Sequence, residues 1–171
     1  MKIIGSAIVL FSCTSAGIFM ASKDRYRAED LNEMKRGLML LKSEIGYNSR
    51  PLYEALIEIS ERLEDTVSEI FEDSGRLLKS RKAASAAEAW ERTLKDRKSR
   101  TFYTKEDIDA LIAFGQALGG GDRQCQISNI EMTVEYIDMK SAELMRKHSK
   151  DSRLFKSVGV LCGILIVAVL F

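Results

Sequence analysis

Proline is all but missing from this chain: Pro51 is the single one in 171 residues. A proline inside a helix removes a hydrogen bond and clashes with the preceding turn, so long helices meet almost no interruption here. Histidine is as scarce, with only His148, set among Arg146, Lys147 and Lys150. A zinc site or a histidine-based nucleophile system needs companions that this residue lacks. The three cysteines make no disulfide framework, because Cys13 and Cys162 fall in apolar terminal stretches and Cys125 stands between them. That pattern agrees with a reducing compartment. Net charge is +1, so bulk composition lends nucleic-acid binding no support. Sustained period-two alternation is also lacking, which leaves no strand to propose.

What is present is apolar at both ends and amphipathic between. From Ile3 to Ala21 no residue is charged, about 19 residues that rise roughly 28 Å as helix, close to the hydrocarbon thickness of a bilayer. Residues 1–22 therefore read as a transmembrane helix. A cleaved secretory signal is the alternative, since Lys2 before an apolar run looks like a charged signal start. The run continues, however, through Phe19 and Met20, well past the Leu10-Phe11-Ser12-Cys13 string. At the other end, Val158 to Phe171 supplies about 14 uncharged residues, and residues 154–171 form a second span when Lys156 snorkels to the interface. Lys23, Arg25 and Arg27 follow the first span, while Arg146, Lys147, Lys150, Arg153 and Lys156 precede or open the second. The bias of Lys and Arg toward the inner side puts residues 23–153 in the cytoplasm and both termini across the membrane.

Residues 23–153 carry helical periodicity throughout, as expected of an all-α bundle of about six helices. Leu31, Met34, Leu38, Leu41 and Ile45 share one face of a helix ending near Gly46. Ser49 and Pro51 signal a new start, after which Leu52, Ala55, Leu56, Ile59 and Leu63 continue the period. Three further starts read as capping boxes: Thr66 with Glu69, Ser85 with Glu88, and Thr104 with Asp107. Behind them lie the core stripes Val67, Ile70, Phe71 and Leu78, then Ala89, Trp90 and Leu94, then Ile108, Leu111, Ile112, Phe114 and Leu118. Gly119, Gly120 and Gly121 end that last helix, and Asp122 caps the next. From there Ile127, Ile130, Val134, Ile137 and Leu144 repeat without a break into the second span, a helix able to pass a push from a motor toward the membrane.

Chemistry is hard to find along this pattern, and no catalytic, cofactor-binding or metal-binding residue is assigned. The glycine-rich turn before Asp122 lacks the Lys-Ser/Thr pair of a P-loop, and Asp122 repels phosphate. It is better read as an exposed corner, with Gly119, Asp122, Arg123 and Gln126 as candidate partner-binding residues. Glu29, Asp30, Glu58, Glu61, Glu64 and Asp65 fall where solvated faces and corners are expected, none of them in an apolar setting that would shift its pKa. Lys79, Arg81 and Lys82, with Arg92, Lys95, Arg97, Lys98 and Arg100, could favour anionic lipid or an acidic partner, but solvated surface is the default.

Several local strings carry a resemblance. Glu44-Ile45 with Tyr47, Pro51-Leu52 before Glu54-Ala55-Leu56, Ala89-Trp90-Glu91, Phe114-Gly115 with Leu118-Gly119, Asp122-Arg123 and Gln126 together resemble the stage III sporulation protein AB family of endospore-forming bacteria. Ser157-Val158-Gly159 through Gly163 is similar to that family's C-terminal anchor. The resemblance implies a type II secretion F-like platform protein in the mother-cell membrane around the forespore. Its implied partners are the sporulation AA secretion-type ATPase and other membrane proteins of the same operon, besides the lipid bilayer. It implies no nucleic acid, no small-molecule substrate and no enzymatic activity. The competing expectation is a structural scaffold that assembles membrane components without touching the ATPase.

Overall fold

In the computed structural model the backbone is described for residues 2–47, 50–120 and 122–170, and side chains for 23–47, 50–120 and 122–146. Every regular element among them is helical: α1 (Lys2–Tyr47), α2 (Leu52–Ser60), α3 (Asp65–Lys79), α4 (Ala86–Arg97), α5 (Lys105–Ala117) and α6 (Arg123–Leu170), with a short 3-10 turn at Lys98–Arg100. The all-α expectation holds. By contact density the chain divides into two compact units, one of residues 1–26 with 142–171 and the other Arg27–Ser141. Among the described residues no helix is long and apolar enough to cross a membrane. The two expected spans, 1–22 and 154–171, lie outside the residues whose side chains are described.

Within the Arg27–Ser141 unit the apolar stripes meet as their spacing requires. Leu31, Met34, Leu38 and Leu41 of α1 are wholly buried, and so are Leu56, Ile70, Phe71, Ala89 and Trp90. A Cβ built on Gly37 would lie 2.6 Å from the ring of Phe71, so α3 packs its largest side chain onto the bare backbone of α1. Trp90 is the meeting point of three helices. Its ring stands edge-on to Phe71 of α3 at 5.2 Å and to Phe114 of α5 at 5.4 Å. Its indole N–H donates to the carbonyl of Leu111 at 2.9 Å, which removes the one polar liability of burying the ring. Gly115 completes the fit, since a Cβ there would sit 2.3 Å from Trp90 Cδ1.

Helices α1 and α6 run antiparallel across this unit. Asn32 contacts Ser141, Lys35 pairs with Asp138, and Lys42 pairs with Glu131, so partners climb one helix as they descend the other.

Four local expectations need correction. The Thr66–Glu69 box does not form. Helix α3 starts two residues earlier, at Asp65 behind Glu64, the carboxylate of Glu33 accepts the Glu64 N–H at 3.0 Å, and the buried Thr66 hydroxyl donates to the carbonyl of Arg100. An acid from another helix thus does for the N-cap N–H what the acid of a capping box would do locally. Helix α2 ends at Ser60, so Leu63 is buried from the following turn rather than from the helix. Asp30 is half-buried, and burial pushes its carboxyl up against the opposing pull of the Phe102 N–H it accepts. Arg97 and Arg100 are engaged by acids of α3, Arg97 by Asp73 and both by Glu69. The other two capping signals hold in different degrees. Thr104 and Asp107 form the full reciprocal box, while Ser85 accepts the Glu88 N–H and Glu88 reaches back to Ala84.

Candidate partner-docking site

The corner between α5 and α6 is built by backbone chemistry. Helix α5 stops at Ala117, and Gly119 takes φ +77°, the left-handed region where a side chain crowds its own carbonyl. Asp122 then caps α6, its Oδ1 accepting the Cys125 N–H at 2.8 Å. Gln126 donates through Nε2 to the Gly120 carbonyl at 3.4 Å, closing the turn on itself. Arg123 donates to the carbonyl of Gly46 at 3.2 Å and so ties the corner to the end of α1.

These contacts bring distant segments around one cavity of about 260 Å³, lined by Glu44, Ile45, Arg50, Leu52, Ala55, Gly119, Arg123 and Gln126. Three of the four candidate residues, Gly119, Arg123 and Gln126, therefore share a wall, while the carboxylate of Asp122 is spent on the helix cap. Glu44, Ile45, Arg50, Leu52 and Ala55 are lining residues that turn chemistry does not mark. A signal existed, because Glu44-Ile45, Leu52 and Ala55 lie within strings that carry the family resemblance, but nothing along the chain says that they converge. Chemically the lining combines an apolar patch of Ile45, Leu52 and Ala55 with charged groups. That combination suits an aromatic or aliphatic side chain of a partner with a carboxylate beside it. The Arg50–Glu58 pair at the rim is exposed on both sides and holds little energy.

A second polar cluster surrounds Asp107, which along the chain reads only as part of a helix cap. Asp107 has a fully buried side chain, yet its oxygens accept from Arg27 Nε at 2.8 Å, Arg27 Nη2 at 2.9 Å and Tyr136 Oη at 3.0 Å. The Thr104 N–H and hydroxyl add two more donors, each at 2.8 Å. Burial pushes this carboxyl up, but the hydrogen bonds from Arg27 and Thr104 outweigh it and hold it below the ordinary carboxylate range. Tyr136 is pushed well up, first by burial and then by the Asp107 charge. With both oxygens saturated, Asp107 has no lone pair left for a substrate proton. The cluster locks α5 to α1 and α6. Among the described residues no group of three or more His, Cys, Asp or Glu side chains could hold a metal ion.

The family model described as stage III sporulation protein AB matches residues 2–171. The chain belongs to the stage III sporulation protein AB family. A relative in this family, stage III sporulation protein AB of Bacillus subtilis (strain 168), is 28% identical over 170 residues, covering 99% of each chain. A solved structure of stage III sporulation protein AB superposes with a TM-score of 0.68 at 27% identity, covering 72% of this chain and 97% of that one. Neither name is that of an enzyme. The resemblance read from the local strings is thus correct, and membership in a sporulation family follows.

Proposed function

We propose that this protein is a noncatalytic, membrane-anchored subunit of a sporulation secretion-like complex, and that the cavity at the α5–α6 corner receives the cytoplasmic secretion-type ATPase. In this reading residues 1–22 and 154–171 are the transmembrane helices of a type II secretion F-like platform. Residues 23–153 face the cytoplasm, and the protein sits in the mother-cell membrane around the forespore. Other membrane proteins of the same complex are its neighbours in the bilayer.

The observation that carries the reading is the convergence of segments. The strings around Glu44, Leu52, Gly119 and Arg123 come from three separate stretches of chain yet line one hollow. Their shared feature is a surface suited to a protein side chain. Binding by such a surface requires no reactive group, in keeping with an Asp107 whose oxygens are fully engaged.

Co-purification tests the proposal directly. Full-length protein is solubilised in a neutral detergent and mixed with the sporulation AA ATPase. Retention by the wild type and loss with Arg123→Glu is the expected result. Retention of other membrane components with none of the ATPase selects the scaffold role instead.

A further inference from the structure

Charge in this chain is segregated. Between Arg76 and Arg100, nine Lys and Arg residues stand against three acids, so this stretch carries +6 in a chain whose total is +1. Intramolecular pairs absorb part of the excess, with Arg76 on Glu72, Lys95 on Glu91, and Arg97 on Asp73 and Glu69. Lys79, Arg81, Lys82 and Arg92 are exposed, and among the described residues none of them has an ion-pair partner. Lys82 and Arg92 join Arg76 and Arg97 around a hollow of about 300 Å³ at the corner of α3 and α4, with Leu77 and Thr93 in its wall. Two acids share the lining, Asp73, which Arg97 engages, and Asp96.

The backbone adds an independent observation. Helix α3 closes with the Lys82 N–H on the Leu77 carbonyl at 3.0 Å and the Arg81 N–H on the Leu78 carbonyl at 3.1 Å. This paired closure puts Arg81 in the left-handed region, at φ 55°. Glycine is the usual occupant there, because a Cβ crowds the following carbonyl. A long cation therefore stands where the fold would be better served by no side chain. Attraction to the helix C-terminus accounts for Arg76 and Lys79 in the last turn. It does not account for a strained Arg81, nor for Arg92 in the middle of α4.

We propose that the α3–α4 corner is a docking surface for an acidic segment of a partner protein. Arg92 and Lys82 line the recess without an ion-pair partner among the described residues, and a guanidinium engages a carboxylate in paired hydrogen bonds, a geometry that a single narrow strand of chain can enter. A bilayer would meet a plane rather than a hollow, and the lining has no aromatic ring on which a nucleic-acid base could stack. This surface lies on other elements than the Gly119 cavity and does not depend on the reading given there.

The test is a titration of full-length protein in neutral detergent with a fluorescein-labelled octaglutamate peptide. Phosphatidylglycerol vesicles and a single-stranded oligonucleotide are run alongside. Saturable peptide binding is expected, weaker at higher ionic strength and at least about fivefold weaker for Arg81→Gly and for Arg92→Gln, as losing a charge-assisted hydrogen bond requires. Lys105→Gln removes the same charge from an exposed site on α5 and should leave affinity unchanged. Arg81→Gly guards against misfolding, because glycine is what the backbone prefers there and its melting temperature should hold or rise. Peptide binding that survives Arg81→Gly, binding confined to vesicles or oligonucleotide, or no binding at all overturns the proposal.

Discussion

Replacing Asp107 with Asn removes a charge that three helices share. Its side chain is fully buried and that of Arg27 is 16% exposed, so the guanidinium would keep its charge with most of its water already lost. Breaking a buried pair by removing one partner costs about 3–5 kcal/mol. Arg27 retains a partial path to solvent, and the amide oxygen of Asn still accepts from Thr104, so the expected loss is about 2–3 kcal/mol, below that range. Urea unfolding followed by tryptophan emission measures it, because Trp90 is the single tryptophan and is wholly buried in the same unit. The pH dependence sharpens the test. The folded carboxyl titrates below the ordinary 3.8 of an aspartate, so its stabilisation is fully present above that value and is lost as pH falls through the depressed one. The gap between wild type and Asp107→Asn should accordingly be widest near neutrality and shrink once the solution is more acidic than about pH 4. Asp30, with its carboxyl raised, contributes in the opposite sense, but it is present in both proteins and cancels in the difference. Equal urea midpoints at neutral pH, or a gap that stays constant into acid, would refute the assignment of Asp107 as a charged lock.

Gly115→Ala sets a methyl group against Trp90 and should cost about 1–3 kcal/mol as overpacking, read as a lowered melting temperature. Trp90→Ala removes the shared ring and should cost about 3–5 kcal/mol, with helical circular dichroism reporting the loss of cooperative unfolding. Thr104→Ala deletes one half of the α5 capping box and a donor to Asp107, for which about 1–2 kcal/mol by denaturant titration is expected. Arg123→Glu should abolish ATPase retention while leaving the emission maximum of Trp90 unmoved; a shifted maximum would point to a folding defect instead.

The helices and most of their buried faces were legible along the chain because the forces that make them act over a few residues. Leu31, Met34, Leu38 and Leu41 announce a face by spacing alone, and Asp122 announces a cap by preceding a helix after a glycine turn. The candidate docking corner was legible in part. Gly119, Arg123 and Gln126 were placed there by turn chemistry, whereas Glu44, Arg50 and Leu52 enter the same wall from a distant stretch. Thr66 misled because the start of α3 was set by a distant acid, Glu33 on the Glu64 N–H 31 positions away, which leaves Thr66 inside the helix with its hydroxyl on the Arg100 carbonyl.

Local spacing, then, dictated the helices and their stripes, and short local strings carried the family likeness, since each depends on neighbours within about one or two turns. Which charges would be buried, and against what, depended on distances in space. Arg27 and Asp107 are 80 positions apart and Asp107 and Tyr136 are 29 apart, yet folding sets them within hydrogen-bond reach and out of water. A carboxylate that reads as an ordinary cap thus became the tie between three helices, because Coulomb attraction and desolvation follow three-dimensional separation and not order along the chain.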